Sequence, residues 1–153
     1  MKLAFAFALA LGVFAMTSAT AAQPRPSVEH FGKPTLNGQP LPFSEAVRVG
    51  DTLYLSGQIG FDASGKLPDG IEAQTKQAMD NIGAVLKRAG LDYADVFHCT
   101  AFLSDMKNWP AFNKVYVPYF PAGKMPARSA FGANGLALGA LLEIECQAYA
   151  GKK

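Results

Sequence analysis

Two short stretches in the last third of the chain hold the residues best suited to chemistry. They are Met125-Pro126-Ala127-Arg128-Ser129 and Leu142-Glu143-Ile144-Glu145-Cys146. Arg128 follows a Pro-Ala turn signal at the start of a strand-like run. In the second stretch, successive strand side chains alternate between faces, so Glu143, Glu145 and Gln147 share one face. Leu142, Ile144, Cys146 and Ala148 share the other. A guanidinium can hold a carboxylate by two parallel hydrogen bonds, and a nearby carboxylate can orient or deprotonate a water. The pair therefore suits a small anionic substrate attacked by water. Taken alone, the same residues also fit a surface ion-pair partner and a solvated sheet face. Other chemistries fit poorly. Ser56 lacks the GxSxG setting of a hydrolase nucleophile. His30 and His98 stand far apart and no cysteine pair has zinc spacing, so no metal site is expected. Gly132-Ala133-Asn134-Gly135 lacks the Lys-Ser/Thr that completes a phosphate-binding loop. Trp109, Tyr116 and Tyr119 read as core or interface aromatics.

The surrounding pattern supplies the elements that must position these groups. Ala46–Val49 and Leu53–Ser56 are strand-like and flank Gly50-Asp51, which predicts a hairpin. Gln58–Phe61 continues the sheet, and 62–70 is a loop. Over 71–89, Ala78, Ile82, Val85, Leu86 and Ala89 recur at three- and four-residue steps, which predicts a helix. Lys87 and Arg88 suit its C-terminal dipole and Gly90 its left-handed stop. Val96–Leu103 is a strand. Asn108 is an expected N-cap, Phe112, Val115, Tyr116 and Tyr119 follow at helical spacing, and Pro118 should end that helix. Ala127–Gly132 and Ala140–Ala148 are the last two strands. Two halves of strands plus one helix point to an α+β sandwich, one sheet with two helices on one face. The other sheet face needs a cover, and a neighbouring subunit would provide one.

At the N-terminus, Lys2 precedes an apolar run from Leu3 to Met16, and Ala19-Thr20-Ala21 fits a small-x-small cleavage site. The run is short of the about 20 residues a membrane span needs. A signal peptide over 1–21, an irregular leader over 22–41 and a domain over 42–153 are therefore expected. The protein is expected to be exported, periplasmic or secreted, with no membrane association after cleavage. Of the 153 residues, roughly 130 then remain, one ordinary domain. Losing Lys2 takes the formal net charge from +2 to +1, too little for the electrostatic footprint of a nucleic-acid binder. Cys99 and Cys146 both lie in strand-like runs. An oxidising compartment permits a bridge between them, and two buried thiols fit equally well.

Pro42-Phe43-Ser44-Glu45-Ala46-Val47, Leu55-Ser56-Gly57-Gln58-Ile59, Phe112-Asn113-Lys114-Val115-Tyr116, Pro126-Ala127-Arg128-Ser129 and Glu143-Ile144-Glu145 occur in that order. Together they resemble the RidA family of reactive-intermediate deaminases, from about Leu41 to Ala150. The resemblance implies a chorismate-mutase-like α+β fold and a homotrimer with clefts between subunits. It implies hydrolysis of enamines and imines of the 2-aminoacrylate type to 2-keto acids and ammonia, without metal or organic cofactor. It places Arg128 at the family's substrate-binding arginine and Glu143 at the glutamate beside the reacting carbon and water. Ser56 and Asn113 match further pocket positions. Two positions depart from the family pattern: Phe43 stands where a tyrosine is common, and Ala130 where a cysteine is common. Loss of the phenol leaves two alternatives, a trimeric small-carboxylate-binding protein with little turnover, and a stress-related holdase.

Overall fold

The computed structural model describes residues 25–36 and 38–152. The signal peptide expected at 1–21 lies outside the described residues. The elements are β1 (Val28–Phe31), β2 (Thr35–Leu36), β3 (Gln39–Pro40), β4 (Ala46–Val49), β5 (Thr52–Leu55), β6 (Gln58–Ile59), α1 (Ile71–Arg88), β7 (Val96–Leu103), α2 (Trp109–Tyr116), β8 (Ala127–Gly132) and β9 (Leu142–Tyr149). One sheet runs β1-β4-β5-β9-β7-β8, with β6 also paired to β9, and β2-β3 is a separate small hairpin. Only β7 and β8 run parallel; the other pairs are antiparallel. The fold is thus α+β with one mixed sheet, as expected from the alternating strands and two amphipathic runs.

The core lies between the sheet and the helices. Ala78, Ile82, Val85 and Leu86 of α1 are buried, joined by Thr75 and Met79. They pack with Leu53, Leu103, Leu142, Ile144 and Ala148 of the sheet and Phe112 and Tyr116 of α2. Gly90 closes α1 with φ +74°, a left-handed conformation that glycine adopts at little cost. The Gly90 and Leu91 amides then reach back to the Lys87 and Leu86 carbonyls. Pro118 ends α2 after Tyr116, and the chain continues for one tighter turn over Val117–Tyr119.

Two expectations need correction, and one open choice is resolved. The leader is not irregular throughout: β1 pairs antiparallel with β4, Val28 opposite Val49 and Phe31 opposite Ala46. Most of β1 is exposed, so an edge strand here leaves no alternating apolar pattern to read. Asn108 makes no capping bond; the Asp105 side chain instead accepts from the Lys107 amide, one turn earlier. Of the two alternatives left open for the cysteines, the structure has the bridge. Cys99 and Cys146 are direct cross-strand partners in β7 and β9, Cα atoms 4.1 Å apart. That is the close spacing of a non-hydrogen-bonded antiparallel pair, where side chains approach most nearly.

Candidate active site

Arg128 sits on β8, the sheet's edge strand, in register with Cys99 of β7. Cys99 is fully buried in the core, so Arg128 projects from the same, helix-facing side. There its guanidinium carbon lies 4.6 Å from the Trp109 ring centroid, 4.6 Å from that of Tyr116 and 5.5 Å from that of Phe112. The three aromatics stand at i, i+3 and i+7 of α2 and share its inward stripe. Asn113, at i+4, belongs to the same stripe. Its Oδ1 is buried without a hydrogen-bond partner, as is the Tyr116 hydroxyl. Burial pushes the Tyr116 phenol up to about 12, with the adjacent Arg128 charge opposing the rise. Among the described residues Arg128 has no carboxylate partner. A guanidinium packed among aromatic rings, with no carboxylate partner among the described residues, has N–H groups available to an anion.

Glu143 occupies the opposite face. On β9 it pairs with Phe102 of β7 and Ile59 of β6, and its neighbours Leu142 and Ile144 point into the core. Partial burial raises its carboxyl above the ordinary glutamate range, and Glu145 on the same face adds a smaller like-charge push. The local backbone is shaped to receive it. Tyr54 pairs with Gln147, whereas Gln58 pairs with Ile144, so the β5–β6 segment carries one extra residue around Ser56-Gly57. This is a bulge. Glu143 Oε1 lies so close to Gly57 that a Cβ there would overlap it. Only glycine permits that approach.

The remaining expected residues are placed as follows. The Ser56 hydroxyl donates to the Ser44 carbonyl at 2.7 Å, so its proton is committed to holding the 43–44 turn. Phe43 is 47% exposed and lines a cavity of about 430 Å³ with Leu41, Gly57, Gln58, Phe61 and Val85. Neither Arg128 nor Glu143 lines that cavity. Ala130 follows Arg128 on the helix-facing side of β8, beside Ala101. The structure therefore gathers Arg128, Asn113 and Ala130 on one side of the sheet. Glu143, with Gly57 behind it, stands on the other. Within one chain the two halves do not meet. Three contributors went unassigned in the sequence: Trp109 and Tyr116, read there only as core or interface aromatics, and Gly57. The helical spacing of 109, 112, 113 and 116 was the available signal for the first two.

A family model described as Endoribonuclease L-PSP matches residues 38–150, and the chain belongs to this family, which includes the RidA deaminases. The mouse protein named 2-iminobutanoate/2-iminopropanoate deaminase is 43% identical over 112 residues, covering 72% of this chain and 82% of its own. The Arabidopsis thaliana protein named Reactive Intermediate Deaminase A, chloroplastic, is 38% identical over 69% of this chain and 57% of its own. Among solved structures, RidA from an Antarctic Psychrobacter aligns with TM-score 0.69 and 36% identity, covering 76% of this chain and 92% of that one. Escherichia coli TdcF, solved with bound serine, aligns with TM-score 0.69 and 28% identity over 74% of this chain and 92% of its own.

Proposed function

We propose that this protein hydrolyses 2-imino acids and their enamine tautomers to 2-keto acids and ammonia. The observation that carries the reading is Arg128, an uncompensated guanidinium ringed by Trp109, Phe112 and Tyr116. It grips the substrate carboxylate through two parallel N–H bonds and so fixes the adjacent C=N carbon. Asn113 supplies a polar wall beside it. Glu143, whose raised affinity for protons makes its carboxylate a stronger base than an ordinary glutamate, takes a proton from the attacking water. As the C–O bond forms, the C=N π pair moves to nitrogen, which takes that proton back from Glu143 to give a carbinolamine. Glu143 then takes the carbinolamine hydroxyl proton as the C=O forms and passes it to the departing nitrogen, which leaves as ammonia. Water is the only co-reactant. The names of the mouse and plant relatives accord with this reaction.

The two halves of the site lie on opposite faces of one sheet, so the reading requires a second copy. We take the protein to be a homotrimer in which Arg128 of one protomer faces Glu143 of its neighbour. The sheet face away from the helices supports this, for it exposes Tyr54, Phe97, Phe131 and Tyr149, each between 44% and 54% accessible. Apolar side chains gathered on one face mark an association surface. We also take the chain to be exported with a cleaved signal peptide. The Cys99–Cys146 disulfide supports that location, because such bonds persist in oxidising compartments.

The test is direct. Freshly generated 2-iminobutanoate and 2-aminoacrylate are mixed with purified protein, and keto-acid formation is followed. The expected result is acceleration over the spontaneous reaction that disappears in Arg128→Ala. Acceleration undiminished by that substitution would refute the reading.

A further inference from the structure

We propose that Trp109 and Tyr116 are positioning residues for carboxylate recognition, holding the Arg128 guanidinium so that only its N–H edge is offered to the ligand. The inference deepens the carboxylate-binding role given to Arg128 above and rests on it. An arginine side chain ends in a long flexible stem, and fixing it at the moment of binding costs entropy. Here the fixing is done beforehand. The two rings lie 4.6 Å from the guanidinium carbon, a distance at which the ring faces attract the cation. Both rings are held in turn. Tyr116 is 1% exposed and Phe112 fully buried, and the row Trp109, Phe112, Tyr116, Phe120 is continuous, with centroids 6.0, 5.3 and 4.8 Å apart. The stack continues into the core, so α2 transmits its rigidity to the cation. Arg128 is otherwise poorly restrained: it stands on an edge strand, and among the described residues no carboxylate fixes it. Trp109 forms the outer end of the row and is only partly buried, so it can be changed with little loss of core.

The test uses 2-oxobutanoate, the stable keto acid matching the proposed product, titrated into the full protein by calorimetry. Trp109→Leu should raise Kd about tenfold, while Trp109→Phe, which keeps a ring, should stay within about threefold. Keto-acid assays should show the same split, KM rising with kcat changed less than about twofold. A merely structural role would lower the melting temperature and the binding stoichiometry and leave the Kd of the folded fraction unchanged, which would overturn the proposal. If Trp109→Leu does not fold, the wild type decides. The chain has a single tryptophan, so its emission reports the ring over Arg128. A saturable change on adding 2-oxobutanoate, absent in Arg128→Ala, supports the proposal. Emission that stays constant while calorimetry shows binding overturns it. The two readings fail differently. Wild-type protein that does not bind 2-oxobutanoate removes both. Binding lost in Arg128→Ala but unaffected in Trp109→Leu removes only the positioning role.

Discussion

Glu143 faces opposing demands from folding and from the proposed reaction. Burial and the neighbouring Glu145 raise its carboxyl above the ordinary value, so the folded chain binds a proton there more tightly than the unfolded chain does. The stability this linkage contributes is complete below the ordinary glutamate range and is lost as pH rises through the elevated folded value. Above that folded value the ionised carboxylate is a cost to the fold. Glu143→Gln should lower kcat by about a hundredfold or more while leaving the melting temperature at pH 7 unchanged or higher. The wild-type rate should climb with pH as Glu143 ionises, and the Gln variant should lose that limb. Loss of both activity and stability in Glu143→Gln would instead give the residue a structural role. Phe43 is the other residue to probe. It is half-exposed and needs no burial of a hydroxyl to accept one, so Phe43→Tyr should fold normally. It should raise turnover if a phenol at that position hydrogen-bonds substrate, and steady-state kinetics on 2-iminobutanoate would show it.

Two backbone devices set the strands that carry these groups. The bulge at Ser56-Gly57 makes room for the Glu143 carboxylate, and the Gly57 Cα surface is its backing. Gly57→Ala should displace the glutamate and reduce kcat at least tenfold, with far less effect on binding of 2-oxobutanoate at Arg128. Unchanged kcat would show that Glu143 has room to move without consequence. The second device is the disulfide, which joins β9 to β7 across 47 residues of sequence. Loop-entropy arguments assign such a bridge about 4 kcal/mol. Reduction, or Cys99→Ser with Cys146→Ser, should therefore lower unfolding free energy by about 2–4 kcal/mol in denaturant titrations. Much of this framework was legible in the sequence, because α1, β7 and β9 bury one face and their periodicity shows it. β1 was not, since an edge strand with three of its four residues exposed shows no alternating apolar face. The disulfide pairing was left open because it depends on a register between strands that no local pattern specifies. For the proposed site, Arg128, Asn113 and Glu143 were assigned through short motifs. The aromatic row behind Arg128 was passed over because core and ligand-positioning aromatics share the same helical spacing.

At the scale of the molecule, the sheet separates the arginine from the glutamate, and the proposed reaction requires an assembly that brings them together. No helix among the described residues is long and apolar enough to cross a membrane, and the proposed trimer would cover the exposed tyrosines and phenylalanines of the open face. The central claim, a site shared between protomers, has a decisive test in subunit mixing. Arg128→Ala and Glu143→Gln are each prepared as inactive proteins, then refolded together in equal amounts. A cleft between an Arg128→Ala protomer that keeps Glu143 and a Glu143→Gln protomer that keeps Arg128 is intact. Random assembly of a ring makes about a quarter of clefts intact, so deaminase activity should return to about a quarter of the wild-type level. Mixed trimers, verified by mass, that remain as inactive as either parent would contradict the account.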